Sequence, residues 1–431
     1  MKRRSFLKAA GRGIVGTGAA LLVLPSRARG ASPSDTLRVA CIGVRGRGGS
    51  LLGASLHQRD VEVVAVCDVD AEVLAKRLQQ VHAQYKNETA KGYGDFRRVL
   101  ERDDIDAITA GTPDHWHAPI ACMAFQAGKD VYSEKPLAHN YEEAQAMLRL
   151  AARYKRVFQL GTQIHAGDNY HRVVELVRSG ALGKIHTVHV WKGGGTGVIP
   201  CSPLPPVPQH LDYDLWLGPA PWRPYHPRHV HGSFRSFLDF STGVYADFWC
   251  HISDIAFWAL GLGAPSTITA RGEFQTEGMA DAPKWIDVDV EFPNGPKYLW
   301  TSRRPNAPGK VGGGIGCWFE GTNGALVCDY GSREVFLGGQ VLRDITEVPK
   351  SIPRSPGHER NFFDCVKTRA LTESNLPYVV NMTTPMFFGR ISLVLGGRTL
   401  HWDESRKQFT GDDEANRLLG RVYRQPWALP A

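Results

Sequence analysis

The stretch that decides the fold is TLRVACIGVRGRGGSLLGASL, residues 36–56. Its first nine residues form an apolar run that is typical of a buried strand, and a helix is predicted to begin directly after the glycines. A glycine-rich turn between a strand and a helix lets the free N–H groups at the helix N-terminus approach a pyrophosphate. The stretch therefore predicts the first strand, turn and helix of a dinucleotide-binding fold.

The same alternation of strands and helices continues to about residue 160. The later predicted strands are VEVVAVCDV (61–69), DAITAGTP (106–113) and KDVYSEKP (129–136). Alternation over this length predicts a parallel, doubly wound sheet with helices on both faces. We therefore assign residues 35–160 to an NAD-binding Rossmann domain.

The residues of the first turn and of the next strand predict the cofactor. In the register G-x-G-x-x-G the second glycine is replaced by Arg45, and Gly46 is expected to supply the missing backbone freedom. Asp68 follows twenty residues after Gly48, where a carboxylate binds the ribose hydroxyls of NAD and repels the 2′-phosphate of NADP. NAD is therefore favoured over NADP. The predicted cofactor-binding residues of this region are Gly43, Arg45, Gly46, Arg47, Gly48 and Asp68.

Three further motifs end strands of the predicted parallel sheet: GTPDHWHAP (111–119), SEKP (133–136) and QLGTQIH (159–165). Ligands of open α/β sheets bind outside the carboxyl ends of the strands, so these motifs are expected to face one crevice. Taken alone, the lysine would more often be a solvated loop residue than a site residue. The histidines, taken alone, would more often be packing residues. The predicted cofactor-binding residues of these motifs are Thr112, His117, Glu134, Lys135 and Gln163.

The pattern changes beyond residue 160, where strands occur in runs joined by Asn294-Gly295 and Asn323-Gly324 turns. Alternating strands joined by such turns predict an antiparallel sheet. We therefore assign residues 161–431 to a second α/β domain with a large open, mostly antiparallel sheet. Residues 192–240 form an insert rich in proline and glycine, which is longer than a simple connection and therefore predicts a functional loop.

The segment GVYADFWCHISD, residues 243–254, carries a polar stripe on an apolar helix. Asp247, His251 and Asp254 are spaced by four and three residues, so they share one face. Buried polar groups are costly without partners, so the stripe is expected to face a polar site.

The EKP after a parallel strand, the glycine turn and the Asp-x-x-x-His of this helix together resemble the Gfo/Idh/MocA family, named for glucose–fructose oxidoreductase and inositol dehydrogenase. The resemblance covers the whole mature chain, and WLGPAPWRPYHP (216–227) and residues 401–427 resemble the secreted bacterial branch. It implies a Rossmann domain followed by an α/β domain whose open sheet commonly joins subunits. A homo-oligomer through the C-terminal sheet is therefore expected.

The resemblance also implies the catalytic residues Lys135, Asp247 and His251. A histidine that titrates near neutrality is the expected base for a hydroxyl proton, and the lysine would stabilise the developing alkoxide. Asp247 would bind a neighbouring hydroxyl or orient the imidazole. For Asp254, capping, a salt bridge and catalysis all stay open.

These residues predict an exported NAD-dependent oxidoreductase that transfers hydride between a secondary hydroxyl of a carbohydrate or cyclitol and tightly bound nicotinamide. The alternative is an NAD-dependent glycoside hydrolase or lyase that works by transient oxidation and elimination. A third possibility, a binding or sensor protein without turnover, disagrees with an intact set of Lys135, Asp247 and His251.

The net charge of +8 is concentrated at the N-terminus, because residues 1–30 carry seven basic residues and no acidic one. The nearly neutral remainder excludes a nucleic-acid-binding protein. Residues 1–30 combine a twin arginine, an apolar run that is too short to span a membrane stably, and small residues up to Gly30. They predict a twin-arginine signal that is cleaved near Gly30 and directs the protein to the periplasm or out of the cell.

Cysteines and histidines outside the motifs predict no metal site. The eight cysteines contain no C-x-x-C pair, so buried free thiols are expected, and a disulfide formed after export stays open. In the insert, His226, His229 and His231 lack the acidic or cysteine partners of a metal site. Aromatic residues there, Trp216, Trp222 and Tyr225, suit either sugar rings or a subunit contact.

Overall fold

A computed structural model of the protein describes residues 36–431, so the predicted signal at residues 1–30 lies outside the described residues. The first sheet has six strands, all paired in parallel, in the order β3-β2-β1-β4-β5-β6. This order confirms the doubly wound parallel sheet. Its strands are β1 (Leu37–Ile42), β2 (Val61–Cys67), β3 (Lys91–Tyr93), β4 (Ala107–Ala110), β5 (Asp130–Ser133) and β6 (Phe158–Leu160).

Five helices connect these strands: α1 (Gly46–Leu56), α2 (Ala71–Tyr85), α3 (Phe96–Leu100), α4 (Asp114–Gln126) and α5 (Tyr141–Tyr154). Side chains cap the N-termini of α2 and α5, where Asp70 and Asn140 accept hydrogen bonds from backbone N–H groups. No side chain caps α1, whose first N–H groups lie beside the glycine turn. That helix end therefore keeps free donors for a ligand.

The second sheet has ten strands in the order β14-β13-β12-β11-β7-β10-β9-β8-β15-β16. Only β7 and β10 pair in parallel among these described strands, which confirms a mostly antiparallel sheet. The strands are β7 (Ile185–Lys192), β8 (Thr267–Phe274), β9 (Pro283–Glu291), β10 (Lys297–Thr301), β11 (Ile315–Gly321), β12 (Gly324–Cys328), β13 (Arg333–Leu337), β14 (Gln340–Leu342), β15 (Leu400–Asp403) and β16 (Gln408–Phe409).

The remaining helices are α6 (Asp168–Arg178), α7 (Tyr213–Leu217), α8 (Gly243–Leu260), α9 (His358–Thr368), α10 (Leu376–Val394) and α11 (Asp413–Arg417). Helix α8 carries the polar stripe, and its opposite side packs on the second sheet. Trp249 lies 5.4 Å from Trp300 between ring centroids and donates a hydrogen bond to the Met382 carbonyl of α10 at 2.8 Å. These buried rings fix α8, and with it the stripe, relative to the sheet.

Helix α9 returns from the second half of the chain to the first sheet. Its Phe362 and Phe363 share a buried cluster with Leu37 and Tyr132. The Gln159 side chain in β6 also donates to the His358 carbonyl at 2.6 Å. The Rossmann sheet is thus completed by residues nearly 200 positions beyond its last strand, which the linear division at residue 160 did not anticipate.

The insert at residues 192–240 is packed rather than open. It contains α7 and a 3-10 helix at His231–Ser236, and most of its aromatic residues belong to one buried cluster. Two backbone hydrogen bonds join it to the chain just after β2: Ala71 N–H donates to His210 at 2.8 Å, and Asp212 N–H donates to Val69 at 3.0 Å. Within residues 36–431, no helix is long and apolar enough to cross a bilayer.

Candidate active site

A cavity of about 520 Å³ opens at the carboxyl ends of β1, β2, β4 and β5, between these strands, α8 and the insert. Ligands of doubly wound sheets bind at this edge. Ten of the predicted site residues line it: Gly43, Arg45, Gly46, Arg47, Asp68, Thr112, Glu134, Lys135, Gln163 and His251. Gly48, His117 and Asp247 do not appear on its wall.

The glycine turn has the backbone freedom that the sequence analysis required. Gly43 has φ of 70°, and Gly46, which opens α1, has φ of 47°. Both values lie in the left-handed region that favours glycine. Gly46 thus supplies the freedom that Arg45 does not, and the need for glycine comes from its positive φ, since no neighbouring atom lies within 4 Å of the place where its Cβ would be.

Gly48 has a different role from the predicted cofactor contact. A Cβ at this position would lie 1.7 Å from the Gly43 carbonyl oxygen and 3.4 Å from the Gly111 Cα. The missing side chain therefore allows α1 to touch the turn after β1 and the end of β4. Gly48 does not line the cavity and supports the turn after β1, so its contact with the cofactor stays a prediction.

We expect Gly48→Ala to lower the free energy of unfolding by about 3 kcal/mol, because the chain must shift to relieve overlap with backbone atoms. Gly53→Ala in the same helix is the matched control, since no atom lies within 4 Å of its Cβ position. That control should gain about 1 kcal/mol from helix propensity. Urea unfolding measures both; equal stability of the two variants would contradict the packing role.

Asp68 and Thr112 are placed for a dinucleotide. The Asp68 carboxylate accepts hydrogen bonds from the N–H groups of Val44 at 2.9 Å and Asp70 at 3.0 Å, which fix it at the cavity edge. Burial raises the pKa of this carboxyl above its ordinary value. Thr112 Oγ1 is buried without a hydrogen-bond partner, and a buried hydroxyl of this kind is normally satisfied. The turn, the carboxylate and the unsatisfied hydroxyl together fit NAD.

The two arginines of the turn hold different parts of the cavity wall. Arg45 contacts the Asp70 carboxylate at 3.2 Å and approaches His231 of the insert at 3.4 Å. Arg47 donates to Glu134 at 2.9 Å and reaches Glu359 of α9 at 2.8 Å. The first arginine thus connects the turn to the insert, and the second connects it to α9.

Gln163 and Glu134 lie together on the same wall. The Gln163 side-chain amide donates to Glu134 at 3.1 Å and to the Gly161 carbonyl at 2.6 Å. Gln163 opens a 3-10 helix, Gln163–Ala166, directly after β6. Its amide oxygen has no hydrogen bond within residues 36–431 and can accept one from a bound ligand.

His117, predicted to bind the cofactor, does not line the cavity, and the structure gives its side chain a different set of partners. Its side chain is buried, its Nδ1 lies 2.6 Å from the Pro136 carbonyl oxygen and its Nε2 lies 2.8 Å from the Thr112 carbonyl oxygen. With both ring nitrogens engaged, the residue fixes the two loops that carry Thr112 and Lys135. It shapes the site without facing it.

Asp247 joins two cations at the base of the cavity. Its Oδ1 accepts hydrogen bonds from Lys135 Nζ and, at 2.8 Å, from Arg235 Nε. The Lys135 ammonium also donates to the Asp247 carbonyl at 3.0 Å. Burial opposes ionisation of Asp247, but Lys135 and Arg235 outweigh it and hold the pKa of the carboxyl below its ordinary value. Asp247 orients Lys135, and it makes no hydrogen bond to His251.

His251 is neutral in this site. Burial, reinforced by the Lys135 charge, lowers the pKa of His251 to about 3. This direction differs from the near-neutral titration expected from the sequence. Its Nδ1 is buried without a partner, and the ring lies 6.2 Å from that of Tyr330. At neutral pH the imidazole is thus in its unprotonated form, the form that can accept a proton from a substrate hydroxyl.

Asp254, for which several roles were open, forms a salt bridge. Its carboxylate lies 2.9 Å from His165 Nδ1 and accepts a hydrogen bond from the Tyr378 hydroxyl. Burial opposes protonation of His165, but Asp254 raises its pKa above the ordinary value. Two residues of the stripe, Asp247 and His251, thus belong to the cavity region. The third, Asp254, joins α8 to the 3-10 helix Gln163–Ala166 and to α10.

Several residues of the insert line the cavity although the sequence did not predict them as site residues. Arg235, Gly232 and Phe234 line the cavity but belong to irregular sequence without a recognisable period. Of the insert's tryptophans, Trp216 lies on the cavity wall, whereas Trp222 is 66% exposed. The described residues contain no grouping of three histidine, cysteine or acidic side chains that could hold a metal ion.

Comparison with known proteins gives two family matches. The family model described as an oxidoreductase family, NAD-binding Rossmann fold, matches residues 37–162. The model described as an oxidoreductase family, C-terminal alpha/beta domain, matches residues 170–429. The two matches cover nearly all of the described chain.

Curated relatives include a glycosyl hydrolase family 109 protein of Shewanella pealeana, 32% identical over 43% of this chain and 44% of that protein. Glycosyl hydrolase family 109 protein 1 of Shewanella sp. strain MR-4 is 27% identical over 67% of this chain and 64% of that protein. The chain spans less than half the length of the first of these relatives.

Solved structures share the fold. Levoglucosan dehydrogenase in complex with NADH and levoglucosan has a TM-score of 0.62 and 18% identity, covering 85% of this chain and 99% of that one. An oxidoreductase domain protein from Kribbella flavida has a TM-score of 0.62 and 17% identity, covering 86% and 100%. With both domain matches on one chain, the protein belongs to the Gfo/Idh/MocA oxidoreductase family and carries its NAD-binding Rossmann fold.

Proposed function

We propose that the protein transfers hydride between a secondary hydroxyl of a carbohydrate or cyclitol and NAD. The observation that carries this proposal is the convergence of Lys135 and a neutral His251 on the cavity that also contains Gly43, Asp68 and Thr112. A cation and an unprotonated imidazole are what alcohol oxidation needs beside a hydride acceptor. A binding protein without turnover would not require either group.

The residues of the site have separate roles in this reaction. When bound, the nicotinamide accepts or returns the hydride. His251 takes the proton of the substrate hydroxyl, and the Lys135 ammonium stabilises the negative charge that develops on the oxygen. Asp247 holds the lysine in place through its carboxylate and its carbonyl oxygen. Asp68 and Thr112 would hold the ribose and phosphate portions of the cofactor.

The insert supports a cofactor that is retained between turnovers. Its residues His210 and Asp212 bond to the backbone directly after Asp68, and Asp70 pairs with Leu211 in an isolated bridge. Arg45 and His231 meet across the same entrance. Contacts of this kind beside the cavity favour slow exchange of a bound cofactor.

The test is to extract the purified protein with acid and quantify the cofactor. We expect close to one NAD(H) per chain, and a change in nicotinamide absorbance when a sugar or cyclitol substrate is added. A protein that contains no NAD(H) and also fails to bind added NAD would overturn the proposal.

A second candidate is a glycoside hydrolase or lyase that oxidises its substrate transiently, because the curated relatives are named glycosyl hydrolase family 109 proteins. The same lysine, aspartate and histidine would serve the oxidation. Incubation with aryl glycosides and no added NAD separates the two functions. Many aryl groups released per chain would establish the second candidate, and release of none would leave net oxidation.

We also propose that the chain forms a homo-oligomer through the second sheet. Along β7, β9 and β11, alternate side chains are buried against the helices, while His189, Trp285 and Trp318 face the other side and remain partly exposed. Light scattering after size-exclusion chromatography would show a monomer if this is wrong.

From its sequence, the N-terminal segment is proposed to direct export; protein recovered only from the cytoplasm would contradict that.

A further inference from the structure

Arg235 presents unused hydrogen-bond donors to the cavity. Its Nε donates to Asp247 Oδ1 at 2.8 Å, and its guanidinium lies 4.6 Å from the Phe234 ring centroid. Within residues 36–431, its two terminal nitrogens make no hydrogen bond, although the side chain lines the cavity and is only 38% exposed. A planar guanidinium with free terminal N–H groups matches the geometry of a carboxylate.

The backbone around Arg235 is fixed. The Ser236 carbonyl, next to it, accepts hydrogen bonds from the N–H groups of Asp281 at 3.1 Å and Ala282 at 3.2 Å. The contacts with Phe234 and Asp247 restrain the side chain as well. The guanidinium is therefore held in place before a ligand binds, which reduces the entropy that binding must overcome.

The charges around Arg235 leave it incompletely neutralised. Asp247 is shared with Lys135, and Glu134 is bonded to Arg47. The third nearby carboxyl, Asp114, is buried against Ser241, and its burial raises its pKa above the ordinary value. Lys135 and Arg235 thus share a single directly bonded carboxylate, that of Asp247, and the terminal N–H groups of Arg235 stay available to an anionic ligand group.

We propose that Arg235 binds a carboxylate of the substrate, so that the substrate of this site is an acidic sugar, such as a uronic acid, rather than a neutral one. The inference rests on the proposed function, since it concerns the substrate of the same site. The terminal N–H groups of Arg235 receive the carboxylate, while Lys135 and His251 act on a hydroxyl of the same molecule. A neutral sugar offers no anion to this guanidinium.

The test compares matched sugars, glucuronate with glucose and galacturonate with galactose, on the full chain. Binding is measured by the shift in thermal unfolding temperature, and turnover by nicotinamide absorbance. We expect the wild type to bind the acids at least about tenfold more tightly, and Arg235→Gln to weaken acid binding by roughly 30-fold with little change for the neutral sugars. Arg235→Lys should keep part of the preference, because it keeps the charge but loses the planar fork.

Arg228→Gln is the matched control, because Arg228 is an exposed arginine of the same insert whose side chain does not line the cavity. The ratio of acid to neutral binding is decisive, since an effect of Arg235 through Asp247 alone would change both sugars equally. An equal loss for both, or a wild-type preference for the neutral sugars, would overturn the inference. Binding is measured independently of redox turnover, so failure of the proposed function would appear separately as a lack of NAD(H) or of absorbance change.

Discussion

Replacing Lys135 with methionine is expected to lower kcat/KM by about 10³-fold while the protein still contains NAD(H). Methionine keeps the apolar stem of the side chain. It removes the ammonium group that Asp247 holds on the cavity wall. The developing negative charge on the substrate oxygen then loses its cationic partner. Because the arginine at position 235 still pairs with Asp247, the carboxylate stays compensated and the fold should persist.

Single-turnover reduction of the bound nicotinamide measures the chemical step for this variant. Lys184→Met is the matched control, because Lys184 is exposed and its side chain makes no described contact with the cavity. A Lys135→Met protein with more than about a tenth of wild-type activity would show that the ammonium does not stabilise the transition state.

Replacing His251 with asparagine should lower kcat/KM by about 10²–10⁴-fold, because the variant keeps a polar side chain but has no base. The pH dependence of the wild type provides the sharper test. The pKa of about 3 means that the imidazole is neutral throughout the range from pH 5 to 8. We therefore expect no fall of kcat/KM near pH 6.5 on the acid side. An acid limb centred near pH 6.5 would contradict the assignment of a buried, neutral base.

The same pKa has a consequence for stability. The pKa of His251 in the folded chain lies below that of an unfolded chain, about 6.5, so unfolding takes up a proton between pH 6.5 and pH 3. Its contribution to stability is complete above pH 6.5 and is lost as the pH falls through this window. His251→Asn should therefore lose less stability than the wild type between pH 7 and pH 5, measured by urea unfolding. The exposed His186→Asn variant should behave like the wild type.

The parts of the site that follow regular secondary structure could be predicted from the sequence. Gly43 and Asp68 follow strands, and the helical period placed Asp247 and His251 on one face, so local pattern and strand order were sufficient. The contribution of Arg235 was not predictable, because it lies in an irregular insert whose path depends on contacts with residues 281 and 282. The roles of His117 and Gly48 required atomic distances, since a motif residue that faces a ligand and one that supports the loop look alike in sequence.

The low pKa of His251 also could not be read from the sequence. It results from burial by α8 and neighbouring segments and from the charge of a lysine 116 residues earlier in the chain. Composition and helical period carry no information about how deeply this ring is buried or about how near that lysine lies. The division into two sheets was predictable, whereas the return of α9 to the first sheet was not, because its apolar face does not indicate which sheet it covers.

That return limits how the gene can be divided for engineering. A recombinant Rossmann fragment that stops at residue 160 would leave Leu37 and Tyr132 without the phenylalanines that cover them, and would present an apolar surface prone to aggregation. A chimera that exchanges the cofactor-binding half with that of a relative must therefore transfer residues 358–368 with it, or redesign that helix to suit its new neighbour. The modules of this enzyme are contiguous in space but not along the gene.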